Sequence, residues 1–143
     1  GMYRSHSWSS WISGVGLRIG SNRYMAGFSN EFVNDSNPRM MLDNWYGTER
    51  SRGGTSYRCP NSGSYYNRLR YRVRLTRTQI AIRILDNGQQ HTNNFSSRTY
   101  TNPNITLHGS AFTGGYGYLQ SFKAWLYTND SEIPPITEQP PIP

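Results

Sequence analysis

Residues 68–75, RLRYRVRL, place an arginine at every second position and an apolar side chain after each one. Successive side chains of a β-strand point to opposite faces, so this pattern predicts a strand with one apolar face and one cationic face. A second alternating run, QIAIRILD at residues 79–86, follows after three residues, and the pair predicts a β-hairpin. We expect the arginines of the first arm to be exposed and the apolar set to be buried, this set being Leu69, Tyr71, Val73, Leu75, Ile80, Ile82 and Ile84.

Short apolar runs separated by Gly and Asn recur along the rest of the chain. Residues 15–28 predict two strands about the turn Gly20-Ser21-Asn22, and residues 39–47 predict another, followed by a long loop over residues 48–64. Asp86-Asn87-Gly88 predicts a tight turn into residues 89–95, and residues 104–110 and 116–128 complete the pattern. About eight to ten short antiparallel strands with almost no helix indicate an all-β protein, an antiparallel two-sheet β-sandwich or jelly roll.

The length of 143 residues is that of one domain, which we assign to residues 1–130. Residues 131–143, SEIPPITEQPPIP, cannot form a strand ladder or a helix because proline lacks the N–H donor and has a fixed φ. We interpret them as an extended, partly disordered terminus or a linker whose removal changes stability little.

Two segments carry a resemblance to a known family. NRLRYRVRLTRTQIAIRILDNGQQ, followed by NITLHGSAFTGGYGYLQSFKAWLYTND, resembles the C-terminal half of concanavalin A-like, laminin-G-like lectin domains. That half contains two strands, a D-G turn, a short L-x-x-G strand, a glycine-aromatic loop and a final strand; the positions that match the final strand are Gly117, Leu119, Phe122, Trp125 and Tyr127. The resemblance implies a concanavalin A-like sandwich that binds carbohydrate.

Arginine dominates the charge of the chain. Fifteen Lys and Arg residues face eight Asp and Glu residues, and every cation except Lys123 is an arginine. Guanidinium groups suit phosphate, sulfate, carboxylate and aromatic faces, so Arg68, Arg70, Arg72 and Arg74, with Arg83 across the hairpin, form a candidate stripe for an anionic partner. The competing interpretation is a solvated strand face whose stems cover apolar surface. Nucleic acid is not the expected partner, since no recognition helix, RNP motif or lysine-rich arm accompanies the stripe.

Aromatic residues beside Gly, Asn and Ser form a second candidate site. Sugars stack their C–H faces on exposed rings while Asn, Gln and Arg bond the hydroxyl groups. Core packing is the competing role of these rings. The candidate ligand-binding residues are therefore Trp45, Tyr46, Tyr65, Tyr66, Tyr116 and the five arginines Arg68, Arg70, Arg72, Arg74 and Arg83.

Catalysis and metal binding find little support in the sequence. A glycan hydrolase of this fold needs closely spaced acids on one strand, and no such motif occurs. The three histidines stand in separate segments, and Cys59 is the single cysteine, so we expect no metal and no cofactor. Residues 34–37, NDSN, are the one oxygen-rich stretch that suits calcium. No apolar run is long enough to enter a membrane as a spanning segment.

We therefore expect a non-catalytic carbohydrate-binding module whose partner is a neutral or anionic glycan. The alternative is a structural or assembly domain of a viral, phage-fibre or bacterial surface protein, with the arginine face as an intermolecular contact in a homo-oligomer. A hydrolase of the same fold is the third and disfavoured hypothesis. An extracellular, surface or virion-associated location fits the first two.

Overall fold

The computed structural model describes residues 13–19, 22–29, 39–56, 70–100, 105–110 and 123–141. These residues form eight strands and a short 3-10 helix at Asp130–Glu132. The strands are β1 Ser13–Ile19, β2 Asn22–Ser29, β3 Arg39–Tyr46, β4 Glu49–Ser56, β5 Tyr71–Leu75, β6 Gln79–Ile84, β7 Gln90–Asn94 and β8 Ile105–Ser110. The expectation of an all-β chain is confirmed.

The strands build two antiparallel sheets. A five-stranded sheet has the order β4-β3-β2-β1-β8, and a three-stranded sheet has the order β5-β6-β7. One core cluster joins the facing sides of both sheets, so they pack against each other as a β-sandwich. The five-stranded sheet contributes Ile19, Tyr24, Ala26, Phe28, Met40 and Leu42, and the three-stranded sheet contributes Ile80, Ile82 and Ile84.

The predicted hairpin is present as β5 and β6, with Val73 opposite Ile82. The isoleucines of β6 are fully buried as expected. Tyr71, Val73 and Leu75 are only partly buried against the core, because β5 lies at the edge of its sheet whereas β6 lies at the centre. Leu69 lies outside the described residues.

Two glycines with positive φ form the tight turns between neighbouring strands. Gly88, with φ +76°, ends the predicted turn at residues 86–88, and its N–H donates to the carbonyl of Ile84 at 2.9 Å. Gly47, with φ +61°, connects β3 to β4, and its N–H donates to Asn22 Oδ1 at 2.9 Å. A residue with a Cβ is strained in this conformation, which explains glycine at both turns.

The structure corrects two predicted elements. The first half of the predicted loop at residues 48–64 is the strand β4, fully paired with β3 from Glu49 to Ser56. Its glycines and serines disfavour a strand locally, but pairing with the buried β3 outweighs that preference. Residues 123–128, which the sequence assigns to a final strand, carry no strand.

Residues 130–141 contain no strand, as their prolines require, but they contact the three-stranded sheet. Guanidinium groups of β5 donate to their carbonyl oxygens, and Ile136 is 9% exposed. These contacts give the segment a packed position, where the sequence alone suggests a linker or a disordered end. No helix among the described residues is long and apolar enough to cross a membrane.

A polar seam joins the edge strands β4 and β7 between the two sheets. Thr55 Oγ1 lies 2.7 Å from His91 Nδ1, and Asn93 Nδ2 lies 3.5 Å from Ser51 Oγ. Burial lowers the pKa of the His91 imidazole from its ordinary value, an effect partly offset by a hydrogen bond with Asn93. The folded protein therefore binds a proton at His91 less readily than the unfolded chain does.

The pH dependence of unfolding tests this position of His91. Because its folded pKa is depressed, its contribution to stability is complete above about pH 6.5 and is lost as the pH falls below that value. We expect His91→Gln to flatten the decline in the free energy of unfolding between about pH 6.5 and pH 5, measured by urea denaturation. A variant with the same decline as the original protein would contradict a half-buried imidazole that stays neutral in the folded state.

Candidate functional site

The predicted arginine stripe is engaged within the protein. Arg72 Nη1 donates to the carbonyl of Ile136 at 2.7 Å, and Arg74 Nε donates to that of Pro134 at 2.7 Å. Arg70, which precedes β5 and is exposed, pairs with Asp86 in the turn that follows β6. The expectation that all these arginines are exposed is wrong for Arg72 and Arg74, because a segment of the same chain covers them.

Arg83, the fifth proposed arginine, also has a partner inside its sheet. Its Nη1 donates to Gln90 Oε1 at 3.0 Å on the neighbouring strand β7. Arg83 lies opposite Arg72 in the strand register and therefore shares the outer face of the three-stranded sheet. Four other proposed ligand-binding residues, Tyr65, Tyr66, Arg68 and Tyr116, lie outside the described residues.

The two candidate aromatic residues on β3 point to opposite faces, as neighbours in a strand must. Tyr46 faces the interior, where its hydroxyl accepts a hydrogen bond from the Thr99 N–H at 3.0 Å. Its ring lies 5.0 Å from the guanidinium of Arg98, which is 3% exposed and also stacks on Phe95 at 3.6 Å. Tyr46 therefore orders the segment after β7 and has a structural role.

Trp45 points to the outer face of the five-stranded sheet, where it completes a row that crosses four strands. In the strand register Arg18 lies beside Arg23, Arg23 beside Trp45, and Trp45 beside Arg50. We call these four residues, one on each strand from β1 to β4, the cationic row. Neighbouring strands are about 4.8 Å apart, so the row is about 14 Å long.

The indole of Trp45 holds two guanidinium groups of the cationic row. The Cζ atoms of Arg23 and Arg50 each lie 4.2 Å from the ring centroid. Because β2 and β4 flank β3, the two groups approach the ring from either side. This arrangement occupies the ring faces on which a sugar or a base would stack, and it restricts the two cations to defined positions.

A buried carboxylate fixes the end of the cationic row. Asp43, which is fully buried, accepts hydrogen bonds from Arg50 Nε at 2.9 Å and from Arg50 Nη2 at 2.7 Å. This bidentate pair raises the pKa of the Arg50 guanidinium, so the group stays charged. Arg52, opposite Asp43 in the register, adds a further exposed cation to the same face.

Among the described residues this face is consequently cationic, with Arg18, Arg23, Arg50 and Arg52 against one carboxylate, that of Asp43. None of these four arginines was among the residues proposed from the sequence. Arg18, Arg23 and Arg50 belong to three different strands and line up with Trp45 through strand register, so an alternation along one strand could not reveal them. Of the proposed site residues that lie in the described part of the chain, Trp45 is the one found in this surface.

The described residues offer little for metal chemistry or acid–base catalysis. They contain no group of three or more His, Cys, Asp or Glu side chains that could hold a metal ion. Asp43 is locked to Arg50, and Asp86 is paired with Arg70, which lowers the pKa of that carboxyl. The oxygen-rich stretch at residues 34–37 lies outside the described part of the chain.

Replacing Asp43 tests how the cationic row is held. Asp43→Asn removes the charge beneath Arg50 at nearly constant size, and we expect it to destabilise the protein by about 1–3 kcal/mol, because the buried group loses a charge-assisted bidentate pair. Asp86→Asn is the matched control, since it breaks the exposed pair with Arg70, and it should have little effect. Equal losses for both variants in urea denaturation would contradict the structural role of Asp43.

The chain was compared with models of known protein families, with curated proteins and with solved structures. None of these comparisons found a match. Among the described residues, the cationic row brings three arginines and one aromatic ring together on one sheet face, with Arg18 and Arg50 exposed and Arg23 and Trp45 partly buried.

Proposed function

We propose that this protein is a non-catalytic carbohydrate-binding module that recognises an anionic glycan through the cationic row. The observation that carries the proposal is the alignment of Arg18, Arg23, Trp45 and Arg50 across four strands on an outer sheet face. As part of the same proposal, the sandwich is of the concanavalin A-like, jelly-roll type, which the residue pattern and the antiparallel order of both sheets support.

The chemistry of the row favours an acidic ligand over a neutral one. A neutral sugar is held mainly by a free aromatic face, and the faces of Trp45 are occupied by guanidinium groups. Sulfate and carboxylate groups instead match the planar donor fork of arginine and form charge-assisted hydrogen bonds. Because Trp45 and Asp43 already restrain the side chains, binding costs less conformational entropy than it does for free arginines.

The same geometry argues against a single-stranded nucleic acid as the partner. Proteins that bind such strands combine a cationic groove with ring faces on which successive bases stack. The described surface around Trp45 has the cations but lacks a free ring face. A linear glycan with repeated acidic groups needs only regularly spaced donors, which a row of about 14 Å across neighbouring strands supplies.

The assembly hypothesis receives less support from the residues on which it was based. It assigned the arginines of β5 to an intermolecular contact, but Arg72 and Arg74 donate to residues of the same chain. Hydrolysis is likewise disfavoured, since Asp43, the described carboxylate of the cationic row's face, is paired with Arg50.

A binding experiment with charge-matched variants tests the proposal. Arg18→Gln/Arg23→Gln removes two cations from the cationic row, and we expect affinity for a sulfated heparin-type oligosaccharide to fall about tenfold or more, since each 1.4 kcal/mol lost is a factor of ten. Salt dependence should weaken as well, because fewer ionic contacts remain. Isothermal titration calorimetry at two salt concentrations measures both effects.

The control is Arg77→Gln/Arg83→Gln, which removes the same charge from the hairpin of the other sheet. It should leave the affinity almost unchanged. Equal losses in both double variants would show that net charge alone attracts the ligand. Equal affinity of the original protein for a desulfated oligosaccharide or for a single-stranded polynucleotide would contradict the proposed ligand class.

A further inference from the structure

The outer face of the three-stranded sheet binds the proline-rich residues 133–141, which we call the strap. Arg74 donates to the carbonyls of Pro134 at 2.7 Å and Ile133 at 3.1 Å. Arg72 donates to the carbonyl of Ile136 at 2.7 Å and to Gln139 Oε1 at 2.8 Å. Two arginines thus make four hydrogen bonds to a segment about sixty residues away in the sequence.

Further contacts fix the direction of the strap. The Arg77 N–H, at the tip of the β5–β6 hairpin, donates to Asp130 Oδ2 at 3.0 Å, just before the strap begins. The strap then contacts Arg74 before Arg72, so it runs antiparallel to β5. At its far end the indole N–H of Trp125 donates to the carbonyl of Pro141 at 3.2 Å. The strap is therefore held by β5 from Ile133 to Gln139 and by Trp125 at its far end.

The hydrogen bonds follow a consistent donor and acceptor pattern. Every donor to the strap named above is a side chain, and the acceptors are backbone carbonyls and one amide oxygen. Proline retains its carbonyl but has no N–H, so a proline-rich segment presents acceptors and leaves few donors to satisfy. The arginine donors of β5 complement such a segment.

Shape and apolar burial add specificity. The strap has a central turn in which the Glu138 N–H donates to the carbonyl of Pro135 at 3.0 Å. Ile136, within this turn, and Pro140 beyond it are buried, while Ala81 on the same sheet face is 1% exposed. Because proline restricts φ before binding, the free segment loses less entropy when it docks.

We propose that this face is a receptor surface for a proline-rich peptide, that the strap is its resident ligand, and that the strap of a second copy of the chain can occupy it in exchange. The contacts named above involve no strand ladder, and none requires the strap to be covalently joined to the sheet that it covers. Residues 123–129 before the strap carry no strand or helix, and Leu126 among them is 72% exposed. The second copy is the source of the ligand because it carries the identical segment.

The test begins with a protease site inserted between Thr128 and Asn129, which are both exposed, in the full chain. After cleavage we expect the released fragment to co-elute with the sandwich in gel filtration and to exchange with a labelled synthetic peptide of residues 129–143. Fluorescence anisotropy of that peptide gives its affinity. Arg72→Gln/Arg74→Gln should weaken it about tenfold or more, while Arg83→Gln, on the same face but bonded to Gln90, should not.

Exchange between copies is measured by mixing two chains. An uncut Arg72→Gln/Arg74→Gln chain holds its own strap poorly, so it should donate the strap to a cleaved, strap-depleted sandwich with intact arginines. Analytical ultracentrifugation should then show a heterodimer that excess labelled peptide dissociates.

Each contrary result overturns a defined part of the proposal. Loss of the cleaved fragment from a sandwich that stays folded and does not bind the peptide would exclude a receptor surface. Near-ultraviolet circular dichroism monitors whether the sandwich unfolds once the fragment leaves. Unfolding would show that the strap is part of the fold and not a ligand. Peptide binding without a heterodimer would exclude the second copy as its source.

Discussion

The structure depends on how a chain with many guanidinium groups and few carboxylates satisfies its arginines. Fifteen cationic residues face eight acidic ones, and each guanidinium carries five N–H donors. Most of these donors need acceptors other than carboxylates. Among the described residues, backbone carbonyls accept hydrogen bonds from Arg72 and Arg74, and side-chain amide oxygens accept them from Arg72 and Arg83. The guanidinium groups of Arg23, Arg50 and Arg98 stack on aromatic faces. The positions of the strap and of Trp45 both follow from this constraint.

Arg72 and Arg74 lie on the outer face of the three-stranded sheet, whereas Arg23 and Arg50 lie on the outer face of the five-stranded sheet. The two pairs differ in how many of their N–H donors are already used. On the three-stranded sheet, Arg72 and Arg74 donate hydrogen bonds to the strap, which partly covers their guanidinium groups. On the five-stranded sheet, ring stacking with Trp45 positions Arg23 and Arg50 but consumes little of their hydrogen-bonding capacity, because the ring accepts no strong hydrogen bond. Arg50 gives two donors to Asp43 and retains others. The second face is therefore organised, and the donors that remain there are the ones that the proposed anionic glycan would use.

Local pattern predicted much of the fold but little of the site. Alternation located β1, β2, β3, β5, β6 and β8, and the sequence Asp86-Asn87-Gly88 located a turn, because these features depend on side-chain period and backbone φ alone. β4 was mistaken for loop, since Gly53 and Gly54 disfavour a strand until pairing with β3 compensates. The cationic row depends on the register of four strands. The acceptors of Arg72 and Arg74 are mainly backbone carbonyls, which every residue has, so the sequence does not identify them. Both lie beyond any pattern along a single strand.

The arginines of RLRYRVRL show a third role for a cationic strand face, which is to bind a proline-rich segment of the same chain. The sequence posed two alternatives, a binding surface or a solvated face, and both assumed that the charge met solvent or a partner. Arg72 and Arg74 instead bind a segment whose prolines leave its carbonyls without the competing N–H groups of a normal strand. A proline-rich terminus and an alternating arginine strand are thus complementary features of one sequence. The arginines supply N–H donors, and the proline-rich segment supplies carbonyl acceptors. Where both occur in one chain, an intramolecular contact between them is the first hypothesis to test, before either is assigned to an external partner.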